Sequence, residues 1–283
     1  MILEALYRHI VKEFSGYDNP SLEAKFLLQS ILEVNASDFI TNPNLEIGNK
    51  DLENVNKAVA RRLAGEPLSK IVGVREFWGR DFIVNEFVLD PRPDTETLIE
   101  AVLNYVGKLG KSGAQLSLLD LGTGTGCIPL TLLCECPQIR SATAGDISVD
   151  ALDVARQNAQ KHQLQDRIKF VKTDWFEALP SQQFDIITSN PPYICESERD
   201  ELSVEVKNHD PHLALFADEN GLEAYKKIFL SLNKFLKPTG QAFFEIGANQ
   251  FSDIVRLVDE SGLTLCDSKR DLGGIQRVVE ISI

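Results

Sequence analysis

The sequence predicts an α/β protein: a mostly parallel sheet flanked by helices, preceded by a small all-helical segment. Three observations carry this expectation. In residues 1 to 65, apolar side chains such as Leu3, Leu6, Ile10 and Phe14 recur at helical spacing. From Gln115 onward, short apolar strands alternate with helical stretches, the rhythm of a sheet built from crossover units. The first of those strands runs directly into a glycine-rich turn that opens a helix. Glycines there let the backbone turn tightly and approach a ligand closely.

The elements follow in order. After the first helix, Pro20-Ser21 starts a second, with Leu22, Phe26, Leu27 and Ile31 on its apolar face. Ser37-Asp38 opens a short third. Asp51 to Ala64 carries Leu52, Val55, Val59 and Leu63 and stops at Gly65-Glu66-Pro67. From Ile71 to Leu89, aromatic and β-branched residues alternate around Gly73, Gly79 and Asn85, which predicts a β-hairpin linker. Asp90-Pro91-Arg92-Pro93-Asp94-Thr95-Glu96 comes next, followed by a helix from Thr97 that Thr95 or Asp94 is placed to cap. This rigid, polar segment is also placed to line one wall of a site. Strands are expected near 116–121, 140–146, 168–172, 184–189, 241–246, 263–268 and 277–283. The last two have no long helix between them, so they should form an antiparallel hairpin. The expected domains are 1–68 (helical), 69–90 (linker) and 91–283 (α/β).

Composition bounds the function. The chain has 283 residues, 43% hydrophobic and 25% charged, ordinary globular material with enough length for two domains. No apolar run approaches a membrane span. Residues 1–14 are interrupted by Glu4, Arg8, His9, Lys12 and Glu13, unlike a signal peptide. The five cysteines show no paired zinc spacing and fit free thiols in a reducing cytoplasm. His209 and His212 lie on an expected loop without a third ligand nearby, so no metal site is expected. A formal net charge of −13 argues against direct nucleic-acid binding, which gains affinity by neutralising phosphates with Lys and Arg. It favours a protein substrate with basic surface.

Two motifs carry chemistry. Leu118-Leu119-Asp120-Leu121-Gly122-Thr123-Gly124-Thr125-Gly126 is a strand entering Gly-x-Gly-x-Gly. A dinucleotide site would use Gly-x-Gly-x-x-Gly with pyrophosphate on the helix N-terminus. Here the third glycine comes one residue early, and Asp120 would repel a pyrophosphate. An acid at that place suits a cation, such as the amino group or sulfonium of S-adenosylmethionine. About 20 residues on, Asp146 closes the next strand, where an acid can hold both ribose hydroxyls. Asp174-Trp175 ends the third strand, offering a carboxylate and an indole to an adenine amine and ring face.

The second motif, Asn190-Pro191-Pro192-Tyr193, follows the apolar run Phe184 to Ser189. The Asn190 side-chain oxygen and the Pro191 carbonyl can each accept one proton of a planar NH2 group. The prolines stiffen the turn. Tyr193 offers an aromatic face to the planar group. The slot suits an amide or an exocyclic amine. A strand-end acid, the glycine turn, a ribose acid, an adenine acid and then Asn-Pro-Pro-Tyr, in that order, resemble the Rossmann-like class I methyltransferases that use S-adenosylmethionine.

A narrower resemblance rests on more residues. Glu76-Phe77-Trp78-Gly79, Pro91-Arg92-Pro93-Asp94-Thr95-Glu96, Asp120 to Gly126, Asp174-Trp175-Phe176, Ser189 to Ile194, Asp210-Pro211 and Arg277-Val278-Val279 occur together in this order. Over about residues 60 to 283 the chain resembles the HemK-type glutamine N5-methyltransferases that modify peptide chain release factors. The resemblance implies that the substrate is the glutamine of a release factor's Gly-Gly-Gln loop, with the helical domain helping to hold that factor. It implies that Asn190 and the Pro191 carbonyl hold the glutamine amide. After Leu215 the chain has Phe216 to Gly221, where the family often has Gly-x-Asp-Gly. The expected catalytic set is Asn190, Pro191 and Tyr193, with Pro192 also at the substrate. The expected cofactor set is Asp120, Gly122, Thr123, Gly124, Thr125, Gly126, Asp146, Asp174, Trp175 and Asn190. A cytoplasmic monomer is expected.

Other readings are a glutamine methyltransferase acting on a ribosomal protein, an adenine-N6 DNA methyltransferase, which also uses Asn-Pro-Pro-Tyr, and a non-catalytic release factor binder. The intact Pro91 to Glu96 segment, the acidic charge and the presence of both Asn190 and the glycine turn argue against them in turn.

Overall fold

The computed structural model describes residues 1–110 and 115–283. By internal contacts the chain divides into two compact units.

The first unit comprises Met1–Val74 together with Ser203–His209. Its helices are α1 (Leu3–Glu13), α2 (Pro20–Leu32), α3 (Asp38–Thr41), α4 (Asn49–Leu63) and α5 (Leu68–Val72). Leu3, Leu6, Ile10 and Phe14 are buried against Ala24, Leu27, Leu28 and Val55, as their spacing requires. The Ser203–His209 segment contains a further short helix, α9 (Val204–His209), numbered after three helices of the second unit. Arg62 fastens it. The residue is 4% exposed, and its guanidinium stacks over the Tyr17 ring at 3.9 Å and pairs with Glu23 at 2.6 Å and Glu205 at 2.5 Å. Lys70 donates to the His209 carbonyl.

The second unit, Arg75–Leu202 and Asp210–Ile283, opens with a two-stranded hairpin, β1 (Val74–Phe77) and β2 (Arg80–Ile83). It is shorter than the alternation from Ile71 to Leu89 suggests. Residues 68–72 are helix, and 84–89 lie outside any strand. Trp78 and Gly79 turn the chain with positive φ at both positions (53° and 67°), as a type I′ turn requires. Glu76 and Glu96 carboxylates receive the two turn amides.

The main sheet has seven strands in the order β5-β4-β3-β6-β7-β9-β8. They are β3 (Leu116–Leu121), β4 (Ile139–Asp146), β5 (Ile168–Lys172), β6 (Phe184–Ser189), β7 (Leu236–Glu245), β8 (Thr264–Arg270) and β9 (Gln276–Ser282). The first five in spatial order are parallel. β9 is antiparallel to both β7 and β8, so the C-terminal hairpin is as expected. Helices α6 (Glu96–Leu109), α7 (Cys127–Glu135) and α8 (Val149–Lys161), with Glu223–Phe235 and Phe251–Glu260, cover its faces. Alternation along each strand separates two cores. Leu118, Ile186 and Phe243 pack on one face; Leu119, Ile187 and Phe244 pack on the other. Such strands are apolar on both sides and read as near-continuous hydrophobic runs. β7 begins earlier than the expected 241, because Lys237-Pro238-Thr239-Gly240 forms an irregularity within the strand. A proline and a glycine are tolerated at such a bulge.

Candidate active site

The strand order reverses between β3 and β6, which is where open α/β sheets leave a crevice at their carboxyl ends. A cavity of about 450 Å³ lies there, within the size range of small-molecule sites. Its floor is the turn after β3. Gly122, Gly124 and Gly126 all hold positive φ (68°, 53° and 78°), a conformation that other residues adopt only with strain. Gly122, Thr123, Gly124 and Thr125 line the cavity. Gly126 sits behind them as the cap of α7.

The acids come from successive strand ends. Asp120 is fully buried beneath the turn. The parallel register sets it beside Thr188, whose hydroxyl donates to Oδ1 at 2.7 Å. Burial pushes the Asp120 carboxyl up to about 7, the Thr123 and Thr188 hydroxyls oppose this, and nearby Asp146 adds to it. Apart from the Thr123 hydroxyl beside it, Asp120 Oδ2 is buried without a hydrogen-bond partner, a state that a ligand group can relieve. Asp146, at the end of β4, lines the cavity. It accepts the Gly124 amide on one oxygen and the Ser148 amide on the other, each at 2.9 Å. Both oxygens keep a lone pair for further donors. Burial raises its pKa against those two amide bonds.

Asp174 and Trp175 form another wall. Trp175 holds a positive φ of 49°, strained for a bulky residue. The Thr173 hydroxyl stabilises that turn by donating to the Trp175 carbonyl at 3.1 Å and accepting the Ala178 amide at 3.0 Å. A cavity lined by a glycine turn, a strand-end acid and an acid-indole pair, over a buried carboxylate, fits a cationic adenosine-bearing ligand such as S-adenosylmethionine.

Asn190 and Pro192 reach the cavity; Pro191 and Tyr193 do not line it. Asn190 Nδ2 donates to the Thr95 hydroxyl at 3.2 Å. Tyr193 instead packs toward the core and points its hydroxyl at Glu245 Oε1, 3.3 Å away. Beyond it, Ile194 bridges to Phe216, and Gln250 donates to the Tyr193 carbonyl at 2.9 Å.

Thr95 departs from its expected role. It makes no side-chain cap on the helix. Its hydroxyl donates to Glu245 Oε2 at 2.6 Å, since a buried carboxylate is the stronger acceptor. Asp94 pairs with Arg277 at 3.0 Å, and Arg277 also reaches Asp271. Glu245, at the end of β7, is fully buried; burial pushes it up to about 7, while the Thr95 hydrogen bond and Arg277 hold it down. Asp90, Pro91, Arg92 and Thr95 line the cavity, and Arg92 is paired with Asp210 at 2.6 Å.

Several lining residues have no sequence signal of their own. Phe87 and Leu89 precede the Pro-rich segment, Leu213 and Phe216 form an apolar wall, and Lys227 is paired with Glu223. Only knowledge of which loops converge could have found them. His212 contacts Glu196, and among the described residues no cluster of His, Cys, Asp or Glu could hold a metal ion.

Residues 98–207 match the methyltransferase small domain family, and residues 5–73 match the PrmC N-terminal domain family. The chain is 42% identical over 281 residues to a bifunctional methyltransferase of Rickettsia typhi, covering 94% of this chain but 54% of that protein. It thus spans about half the length of that relative. It is 37% identical to a release factor glutamine methyltransferase of Agrobacterium fabrum, covering 94% of this chain and 91% of the relative. Identity to the protein of that description from Koribacter versatilis is 39%, covering 99% and 98%. Among solved structures, the hMettl16 catalytic domain in complex with a MAT2A 3′UTR hairpin is similar in fold, with a TM-score of 0.59 at 17% identity, covering 91% of this chain and 90% of that one. From these matches over nearly its whole length, the chain belongs to the HemK/PrmC family of release factor glutamine methyltransferases.

Proposed function

We propose that this protein transfers a methyl group from S-adenosylmethionine to the side-chain amide nitrogen (N5) of the glutamine in the Gly-Gly-Gln loop of peptide chain release factors. One observation carries the reading. Asn190 lines the cavity with its NH2 already committed to Thr95, so it offers the cavity an acceptor, Oδ1, suited to an amide N–H. The family resemblance assigns the second proton to the Pro191 carbonyl, although Pro191 itself does not line the cavity. Asp120 supports the cationic end of the cofactor, whose positive charge favours the ionised carboxylate. Asp146 takes the ribose hydroxyls, and Asp174 with Trp175 takes the adenine. The bound cofactor supplies an electrophilic methyl group. Asn190 and Pro191 orient the nitrogen for in-line attack, and their dipoles favour the positive charge that develops on it. Orientation of this kind can lower a barrier by about 7–11 kcal/mol. No side-chain base is required before attack, because the nitrogen sheds its proton after or late in transfer.

The match to the PrmC N-terminal domain favours release factor over a ribosomal protein, and the net charge of −13 disfavours DNA. We read the protein as acting in the cytoplasm as a monomer; no helix among the described residues is long and apolar enough to cross a membrane. Incubation with purified release factor and S-adenosylmethionine, followed by mass spectrometry, should place one added methyl on the Gly-Gly-Gln glutamine. Methyl incorporation into ribosomal protein or DNA instead, with release factor unmodified, would overturn the reading.

A further inference from the structure

The Asn190 amide is chemically two-faced. One end donates two protons and the other accepts, yet the two ends have nearly the same shape. Only the accepting end suits a substrate NH2. Something must therefore fix its orientation, and packing alone does not distinguish the two. Thr95 and Glu245 lie behind it in a continuous line. Glu245 Oε2 accepts from the Thr95 hydroxyl at 2.6 Å, and the Thr95 oxygen accepts from Asn190 Nδ2 at 3.2 Å. Glu245 does not line the cavity, and its other oxygen receives the Tyr193 hydroxyl.

We propose that Glu245 and Thr95 are positioning residues that set the polarity of Asn190. A carboxylate can only accept, so it takes the single proton of Thr95. The Thr95 oxygen is then left with lone pairs alone on the side facing Asn190. It can bind only the NH2 end, which turns Oδ1 outward. If Glu245 carries a proton, the sequence of donors can reverse. Glu245 donates to Thr95, Thr95 donates to the Asn190 oxygen, and the amide presents NH2 to the substrate's NH2. The relay is thus correct for the reaction only while Glu245 is ionised.

The surroundings make that titration accessible. Arg277 on β9 is the cation facing Glu245, and Asp94 is the anion. Tyr193, Tyr225 and the Cys127 thiol are the other titratable groups facing it. Burial raises all three above their ordinary values, so they stay neutral here. Glu245 itself sits near 7.

The relay's effect on rate rests on the amide-methylation reading, so the test has two arms. In the kinetic arm, Glu245→Gln and Thr95→Val should each lower kcat by about tenfold to a hundredfold, the loss expected when a reacting group is misdirected. Cofactor Kd should stay within a few-fold, and Thr95→Ser should recover most of the rate lost in Thr95→Val. Wild-type kcat should rise with pH through about 7, and Glu245→Gln should abolish that rise. Wild-type kcat and pH profile in Glu245→Gln, or equal losses in Thr95→Val and Thr95→Ser, would overturn the proposal. The structural arm needs neither substrate nor variant. In protein labelled with ¹⁵N-asparagine, the Asn190 NH2 protons should show an NOE to the Thr95 methyl group at pH 8. Its absence would overturn the relay even if the variants fail to fold. Its presence in a protein that leaves release factor unmodified would uphold the relay while refuting the proposed substrate.

Discussion

Asp120 is held in a place where its own charge is unwelcome, and this gives a test at the scale of one side chain. Its folded pKa is raised from 3.8 to about 7 by burial. A raised carboxyl binds its proton more tightly in the folded chain than in the unfolded one. Its stabilising protonated state is fully present below about 4 and is lost as pH rises to about 7, so ligand-free stability should fall across that window. Asp120→Asn removes this liability. Thermal melts of the ligand-free variant should show a gain on the order of 1–3 kcal/mol at pH 8 and little change at pH 4, together with weakened cofactor binding by calorimetry. A gain at pH 4 that equals the gain at pH 8 would exclude the ionisation as its cause. Asn190→Ala should lower kcat by about a hundredfold or more while cofactor Kd moves only a few-fold, measured by stopped methylation assays and calorimetry. Asp120, the glycine turn and Asn190 were readable because each lies within a few residues of the strand that presents it. The Thr95–Glu245 bond was not, because it joins positions 150 apart. Locally, a Thr ahead of a helix reads as a cap.

Between the residue and the fold stand short elements whose backbone must fit in one way. Glu219, Asn220 and Gly221 all hold positive φ (54°, 59° and 78°). A Cβ on Gly221 would lie 2.0 Å from the Tyr193 carbonyl oxygen. Gly221→Ala should therefore destabilise by about 1–3 kcal/mol and displace the segment that carries Asn190. Calorimetry should show a lower Tm, and kcat should fall more than cofactor affinity. An unchanged Tm would mean that the loop yields freely. The alternation of apolar strands was legible at this scale, because burial on both faces leaves a plain hydrophobic run. Strand β7 was legible only from Gln241 on, since Pro238 and Gly240 carry the usual signature of a turn. The hairpin was overextended in the sequence reading. Residues 84–89 are apolar enough for a strand, yet Val84 and Val88 pack against Ala151 and Val154 of α8 instead.

Across the whole molecule, the largest departure from the sequence reading is the Ser203–His209 segment, which belongs to the helical unit. Nothing local in Val204 to His209 signals that membership; its evidence is the pairing of Arg62 with Glu205, 143 positions away. Arg62→Met should destabilise the helical unit by about 1–3 kcal/mol, because Glu23 and Glu205 lose a buried counter-charge but keep some access to water. Hydrogen exchange should show faster opening of α1, α2 and α4 than of the central strands. Uniform loss of protection over both units would show instead that they open together. The same segment governs how the chain is wired. The polypeptide passes from one unit to the other after Val74, after Leu202 and after His209. A protease cut after Val74 would leave Ser203–His209, a part of the helical unit, covalently within the piece that carries the sheet. The helical unit is stitched in, not strung on, so a chimera that exchanges it as a single N-terminal cassette would leave its last stitch behind in the donor's catalytic half.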